Sequence, residues 1–441
     1  MFRPGARWTT SAREAPVAPA GRPPAAAERT LQGFVSILAA QFFSAVADNA
    51  LLFAAIALLA AESAPSWQVP VLQQSFAFAA IVLAPFVGAH ADALPKGRVM
   101  LISNSLKMVG CLAILLGLHP VAAFAVVGTG SAMYTPAKYG ILAEYFPAER
   151  LVWANGWMEG LTVAAIIIGA IVGGMLTGTA MGGLLEALPF REIGALRLDS
   201  VPKLAVFTVL GIYLTATLAN LTIPHLPVEH ALPKRTPWFL IQDFAASFRQ
   251  LWTDRLGQLS LAVTTLFWGA GATLRLIILN WGSTSLQLTM EQSTELTAVV
   301  AIGIGIGAAW AGGRVDVMHA VKVLKLGILM GVTVIATVFV SDWRIAIPLL
   351  LLIGAMGGYF VIPMNALLQH RGHLLMGSGH SIALQNCNEN LSILLMLGGY
   401  ALMLKADLSV AAITVAVGLV LAGVTALLMR FHAHDQDHGE C

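Results

Sequence analysis

Apolar stretches of about 17 residues or more recur along nearly the whole chain, separated by short clusters of Pro, Gly and charged residues. Read in turn, they predict twelve spans: 34–61, 70–90, 98–118, 120–138, 153–178, 203–223, 257–281, 294–313, 319–341, 343–367, 377–404 and 408–430. Segments of that kind cross a bilayer as helices, because an isolated strand in hydrocarbon leaves its backbone groups without hydrogen-bond partners. The twelve divide six and six around a polar stretch, Pro224 to Arg255, which carries Pro224, Pro227, Pro233 and Pro237. Within it, Trp238 to Trp252 is amphipathic and suited to lie along the membrane surface. The predicted organisation is a disordered tail over 1–33, a six-helix bundle over 34–223, a linker with an amphipathic helix over 224–256, a second six-helix bundle over 257–430 and a tail over 431–441.

Composition agrees with the pattern: 57% of the 441 residues are hydrophobic and 11% charged, against about a quarter charged in soluble domains. The expected class is an all-α integral membrane protein. With 25 basic and 23 acidic residues the net charge is +2, which gives no electrostatic footprint for a nucleic-acid partner. The first 30 residues, rich in Ala, Pro and Arg, contain no apolar core, so a cleaved signal peptide is not expected. Placing the amino terminus in the cytoplasm leaves Arg191, Arg197, Lys203, Arg344 and Lys405 as the basic residues of the opposite side. The positive-inside rule then puts both termini in the cytoplasm. Cys111 and Cys387 lie inside spans and Cys441 ends the tail, so no disulfide framework is implied.

A faint internal repeat links the halves. The Asp48 region aligns with Thr273 to Arg275, Tyr134-Thr135-Pro136 with Tyr359 to Pro363, and Asn155 and Glu159 with Gln385 and Glu389. Parallel repeats of this kind place a site between the halves near the membrane midplane. Gly303-Ile-Gly305-Ile-Gly307 looks like part of a dinucleotide fingerprint but sits inside a span, where close helix packing is the better reading. Gly169 with Gly173, Gly174 with Gly178, and Gly354 with Gly358 have the same small-residue spacing. The terminal His432, His434, Asp437 and His438 could ligate a metal or imitate an acyltransferase motif, and read as a solvated tail. No catalytic constellation, metal site or cofactor motif is expected elsewhere.

Charge inside the spans carries the functional signal, because an ionised group at bilayer depth costs at least ~2.5 kcal/mol and marks a pathway or a bundle interior. Asp48, beside Asn49 in the first span, is the leading candidate. Glu159 shares a helix face with Asn155, and Glu389 with Gln385, each pair being four residues apart.

The loop from Gly88 through Asp92 to Lys96, Gly97 and Arg98 resembles the signature loop of the major facilitator superfamily. That resemblance implies a charge relay of Gly88, Asp92, Lys96 and Arg98 that locks the cytoplasmic face. Longer strings resemble the bacterial lysophospholipid transporter family of that superfamily. They are Ala40-Gln41-Phe42 with Asp48 to Phe53, Lys96 to Met100, Pro136 to Leu142, Phe267 to Gly271 with Leu274-Arg275, Asn365 to Gln369, and Gln385-Asn386 with Glu389-Asn390. The implied fold is twelve transmembrane helices in two six-helix bundles around a central cavity. The implied activity is inward movement of lysophosphatidylethanolamine and related lysolipids across the bacterial inner membrane, with reacylation by an acyltransferase at the cytoplasmic face and the carrier expected as a monomer.

Such a head group carries a phosphate and an ammonium, so its site needs both signs of charge. Arg275, with its planar donor fork, and Lys138 suit the phosphate. Asp48, Glu159 and Glu389 suit the ammonium, and Asn49, Asn365, Gln385 and Asn386 add neutral hydrogen bonds. Simpler readings stand beside these. Asp48 and Arg275 could pair to hold helices one and seven together, Lys138 could snorkel to head groups, and Glu159 and Glu389 could serve gating. Lys107 is expected to snorkel and stays outside the site. The competing functions are an ion-coupled carrier of a small polar solute, with Asp48 as the coupling carboxylate, and a membrane acyltransferase or lipid-presenting scaffold.

Overall fold

The computed structural model describes residues 24–65, 67–178, 180–187, 192–193, 196–228 and 236–437. The first half contains α1 (Pro24–Ala61), α2 (Gln68–Val82), α3 (Ala84–Ala93), α4 (Lys96–Leu115), α5 (Pro120–Tyr145), α6 (Ala148–Thr177), the short α7 (Ala180–Ala187) and α8 (Val201–Asn220). Between α7 and α8, the two-residue strands β1 (Glu192–Ile193) and β2 (Leu196–Arg197) pair antiparallel. The linker forms α9 (Pro237–Thr253). The second half contains α10 (Arg255–Thr284), α11 (Met290–Gly312), α12 (Leu324–Ala336), α13 (Trp343–Leu375), α14 (Ser378–Lys405) and α15 (Val410–Asp437).

Three boundaries differ from the sequence reading. Of the tail expected to be disordered, residues 1–23 lie outside the described residues, but 24–33 are the first turns of α1. Pro24 opens the helix with its fixed φ, and Ala25–Ala27, Glu28 and Arg29 are good formers that let it propagate outward. The carboxyl end behaves alike, with α15 continuing to Asp437 and His438 falling outside the described residues. The second span is broken: α2 and α3 meet at 68° around Leu83, where Pro85 in the first turn of α3 cannot extend the preceding ladder.

Among the described residues, ten helical segments are individually long and apolar enough to cross a membrane, and α2 with α3 makes an eleventh. Helix α5 is not among them, although it has 26 residues. Gly128 to Ser131, Tyr134, Thr135 and Lys138 dilute its apolarity, which marks it as a helix facing polar surroundings on one side.

Small residues set the closest packing. A Cβ at Gly303 or Gly307 of α11 would run into the Leu351 or Ala355 carbonyl of α13, and one at Gly358 into the Ile304 carbonyl. The glycine run is therefore a helix contact, as its setting within a span implied. Likewise Gly169 and Gly173 bring α6 against Asn49 and Phe53 of α1, while Gly174 faces open space.

The halves meet tightly at one end, the linker end, on which α9 packs. Gly88 lies against Ala383 and His380, Gly140 against Ser378 and Lys96, and Gly156 against Ala308 and Gly312. Along α14 the buried residues run nearly continuously from Ser378 to Gln385, then only Glu389 and Tyr400 follow. The bundle is sealed at the linker end and loosens beyond Glu389.

Candidate functional site

A cavity of about 290 Å³ opens just above the seal, between the halves. Its walls are Thr135, Lys138 and Tyr139 of α5, Trp268 of α10, Asn365 and Gln369 of α13, and Ile382, Gln385, Asn386, Glu389, Asn390 and Ile393 of α14. Lys138 is 7% exposed, and its Nζ lies 4.3 Å from the Tyr139 ring centre. Among the described residues it meets no carboxylate within ion-pairing distance. Its charge is available to a ligand, with the aromatic ring as partial compensation. Gln385 donates to Asn365 Oδ1 at 2.8 Å and to Glu389 Oε1 at 2.7 Å, which orients the Glu389 carboxylate. Tyr139 donates to Glu159 Oε2 at 3.0 Å, so Glu159 borders the cavity through that tyrosine. The floor is a reciprocal amide pair between halves: Asn155 donates to Gln369 at 2.8 Å and Gln369 to Asn155 at 2.7 Å.

Of the residues singled out from the sequence, this cavity brings together Lys138, Asn365, Gln385, Asn386 and Glu389, with Glu159 behind them. Pro136 and Pro363, one inside each of α5 and α13, lie next to these positions.

Arg275 is exposed on α10. It follows Trp268 by seven residues, so it lies on the same helix face two turns, or ~10 Å, farther from the linker end.

Asp48 and Asn49 lie elsewhere. Asp48 accepts from Lys107 Nζ at 2.7 Å and from the Tyr213 hydroxyl at 2.6 Å. Lys107 also donates to Ser44 at 3.1 Å, Ser44 donates to Asn104 at 2.8 Å, and Tyr134 presents its ring 4.8 Å from the ammonium. The pairing of Asp48 with Arg275 is thus replaced by one inside the first half, and Lys107 does not snorkel: it is wholly buried. A Lys at mid-span satisfies its charge with the nearest carboxylate when four helices enclose it, and the periodicity of a single span does not reveal that. Asn49 donates to the Ala45 carbonyl at 2.8 Å, turned to its own backbone at the α1–α6 contact.

The linker-end seal is ionic. Asp92 accepts from Lys96 at 2.7 Å and from the Gly379 and His380 amides at 2.7 and 2.8 Å. A carboxylate from the first half therefore caps the first turn of α14 in the second, where the helix dipole is positive. Gly377, with φ +106°, makes the turn into that helix. Lys96 also reaches Glu144 at 3.0 Å, and Ser378 donates to the same carboxylate at 2.8 Å. His380 stands between Asp92, 3.1 Å from Nδ1, and Asp243 of α9, 3.0 Å from Nε2. Gly88 provides the close approach to α14. Arg98 is not part of the seal: one residue beyond Gly97 the helix turns it outward, and it is exposed beside His225. Farther along the same end, Arg371 of α13 pairs with Asp254, which also accepts from the Gly257 amide at 2.8 Å and caps α10. Burial alone would raise the Asp254 carboxyl, but these two donors hold it below the usual carboxylate range.

Sequence reasoning missed Glu144, Asp243, Ser378 and His380, all brought in by long-range packing. Trp268 and Tyr139 lay within strings already noted, and the cue to them was their adjacency to Gly-rich polar runs.

The sequence profile of the Major Facilitator Superfamily matches residues 37–386. The Lysophospholipid transporter LplT of Enterobacter sp. (strain 638) is 43% identical over 397 residues, 89% of this chain and 94% of that protein. The transporter of the same name from Serratia proteamaculans (strain 568) is 43% identical over 375 residues, 85% of this chain and 89% of its own length. Among solved structures, the transporter FucP in its outward conformation superposes with a TM-score of 0.72 at 13% identity, covering 91% of this chain and 99% of that one. A bacterial homologue of the iron transporter ferroportin gives 0.64 at 15%, covering 90% and 99%. At those identities the two structures speak to fold alone. Profile, identity and coverage together establish that the chain belongs to the lysophospholipid transporter family of the major facilitator superfamily.

Proposed function

We propose that the chain carries lysophospholipid, with lysophosphatidylethanolamine as a principal substrate, inward across the bacterial inner membrane by alternating access, for reacylation by an acyltransferase at the cytoplasmic face. The observation that carries this reading is the cavity itself. It combines Lys138, an ammonium with no carboxylate in ion-pairing distance among the described residues, with Glu389, a carboxylate held by the Gln385 amide and the Thr264 hydroxyl, and the apolar side chains of Trp268, Ile382 and Ile393. Phosphate is then held by Lys138, with Arg275 meeting it first at the outer mouth. The ammonium is held by Glu389 and the Trp268 ring, with Glu159 behind Tyr139 as a second negative charge. One acyl chain stays against the apolar wall. The name of the relatives, lysophospholipid transporter, supports the substrate class.

The linker end is cytoplasmic in this reading, since Arg98, Arg249, Arg255 and Arg371 gather there, and both termini share that side. The ionic seal at that end and the looser packing beyond Glu389 then correspond to a state open to the periplasmic side. A monomer suffices, because the cavity lies within one chain.

Purified protein in liposomes is the direct test, with fluorescent lysophosphatidylethanolamine added outside and its arrival in the inner leaflet followed by quenching. Movement above protein-free vesicles, with no uptake of a sugar or amino acid, is expected. Solute uptake without lipid movement would overturn the proposal, and so would unchanged lipid movement in Lys138→Ala combined with Glu389→Gln.

A further inference from the structure

A second opening lies between the start of α4 and the end of α8, at the linker end and separate from the central cavity. Pro95, Gly97, Arg98 and Leu101 form one wall, and Asn220, Leu221, Ile223, Pro224 and His225 the other, around about 160 Å³. The two helices run antiparallel there, with Gly97 on Ile223 at the rim and Met108 on Thr217 deeper in. The pocket therefore faces the positive end of one helix dipole and the negative end of the other.

Asn220 is the informative residue. It is only 4% exposed, and neither its Nδ2 nor its Oδ1 has a hydrogen-bond partner. A buried amide left with both a donor and an acceptor open is uncommon and calls for a ligand. Arg98 and His225 are exposed at the rim. Among the described residues Arg98 meets no carboxylate within ion-pairing distance.

We propose that this pocket holds the phosphoethanolamine head of a resident membrane phospholipid in the leaflet at the linker end. Its phosphate lies at the first turn of α4 against Arg98, with the Asn220 amide as a second donor. Its ammonium lies at the last carbonyls of α8, with Asn220 Oδ1 as acceptor. The volume suits a head group and not a whole lipid. The acyl chains run outward along Leu101 and Leu221. The pocket shares no residue with the central cavity, so the lipid is a fixed ligand and not cargo, and the inference stands apart from the transport reading.

The test is native mass spectrometry of the full chain released from vesicles with equal phosphatidylethanolamine, phosphatidylcholine and phosphatidylglycerol. Choline offers no N–H donor and glycerol no cation, so ethanolamine lipid should be retained several-fold over both. Arg98→Gln, at an exposed position that does not threaten folding, should lower that retention about tenfold, as loss of a charge-assisted contact does. Asn220→Leu should lower it similarly, while Lys138→Ala should retain it as the unmodified chain does. Equal retention of choline or glycerol lipid overturns the proposal, and so does full retention by Arg98→Gln. Displacement of the lipid by millimolar inorganic phosphate would reassign the pocket to a free anion and overturn it as well.

Discussion

Two groups of charged residues sit inside this bundle and differ in how their charge is balanced. Around Asp48, all the partners come from the first half: the carboxylate pairs with Lys107 and accepts from the Tyr213 hydroxyl, and Lys107 donates on to Ser44, which donates to Asn104 Oδ1. Around Lys138 the balance is left open. Among the described residues Lys138 has a ring beside it and no carboxylate within ion-pairing distance, Glu159 acting on it only from farther off. Among the same residues Glu389 has the Gln385 amide and the Thr264 hydroxyl but no cation at that distance. A closed ion pair holds helices together, because breaking it strands a charge in low dielectric. Unpaired charges on the wall of a cavity have that role left for a ligand. Burial alone does not separate the two cases, since Lys107 and Lys138 are both buried. The difference lies in their partners.

That contrast is broken most severely at Lys107. Lys107→Ala leaves Asp48 with only its tyrosine and is expected to destabilise the fold by ~3–5 kcal/mol, read as a large fall in the thermal midpoint in detergent. The double substitution Lys107→Met with Asp48→Asn should recover most of that loss. If the single variant unfolds like the unmodified protein, the structural role assigned to this pair is wrong.

At Lys138 the expectation reverses. Lys138→Ala should lower lipid movement by ~10-fold or more, from the loss of one charge-assisted contact to phosphate, with the thermal midpoint nearly unchanged. A variant that moves lipid normally but unfolds early would place Lys138 in the same class as Lys107.

The seal sharpens the comparison, because it is also ionic yet joins the two halves. Asp92→Asn removes the charge that caps α14 and pairs with Lys96. Alkylation of a cysteine placed at Ala383, which is 1% exposed, should then speed up by ~10-fold, as a loss of about 1.4 kcal/mol from the sealed state would give. No change in labelling would mean that apolar contacts alone keep this end shut.

The smallest effect is expected at Asp254, a partly exposed cap. Its carboxyl is held below the usual range in the folded state, so its contribution is present above the unfolded value, near ~3.9, and fades as pH falls through the lower folded value. Asp254→Ala should therefore cost ~1 kcal/mol at pH 7, and thermal unfolding of the two proteins should converge toward pH 3.

How far the sequence could be read follows from the same physics. The apolar spans and the linker helix are written in local apolarity, except at α5, whose polar residues dilute it. Asn365, Gln385, Glu389 and Lys138 were legible as polar residues at bilayer depth, and Asn155 with Glu159 as one helix face. The bend at Leu83 was hidden because Pro85 interrupts a run that stays apolar throughout. The helical start at Pro24 was hidden because a polar, Ala-rich tail carries helix propensity without periodicity.

By itself, then, the sequence determined that the chain is a helical membrane protein of many spans and which few residues carry charge within them. Hydrocarbon penalises exposed backbone and isolated charge whatever the partner. Only the tertiary structure decided which charges cancel. Asp48 found Lys107 across 59 positions, and Asp92 found the start of α14 across 287. Lys138 was left facing a cavity. Ion pairing acts over a few ångströms of space, and that proximity is set by helix packing and not by order along the chain.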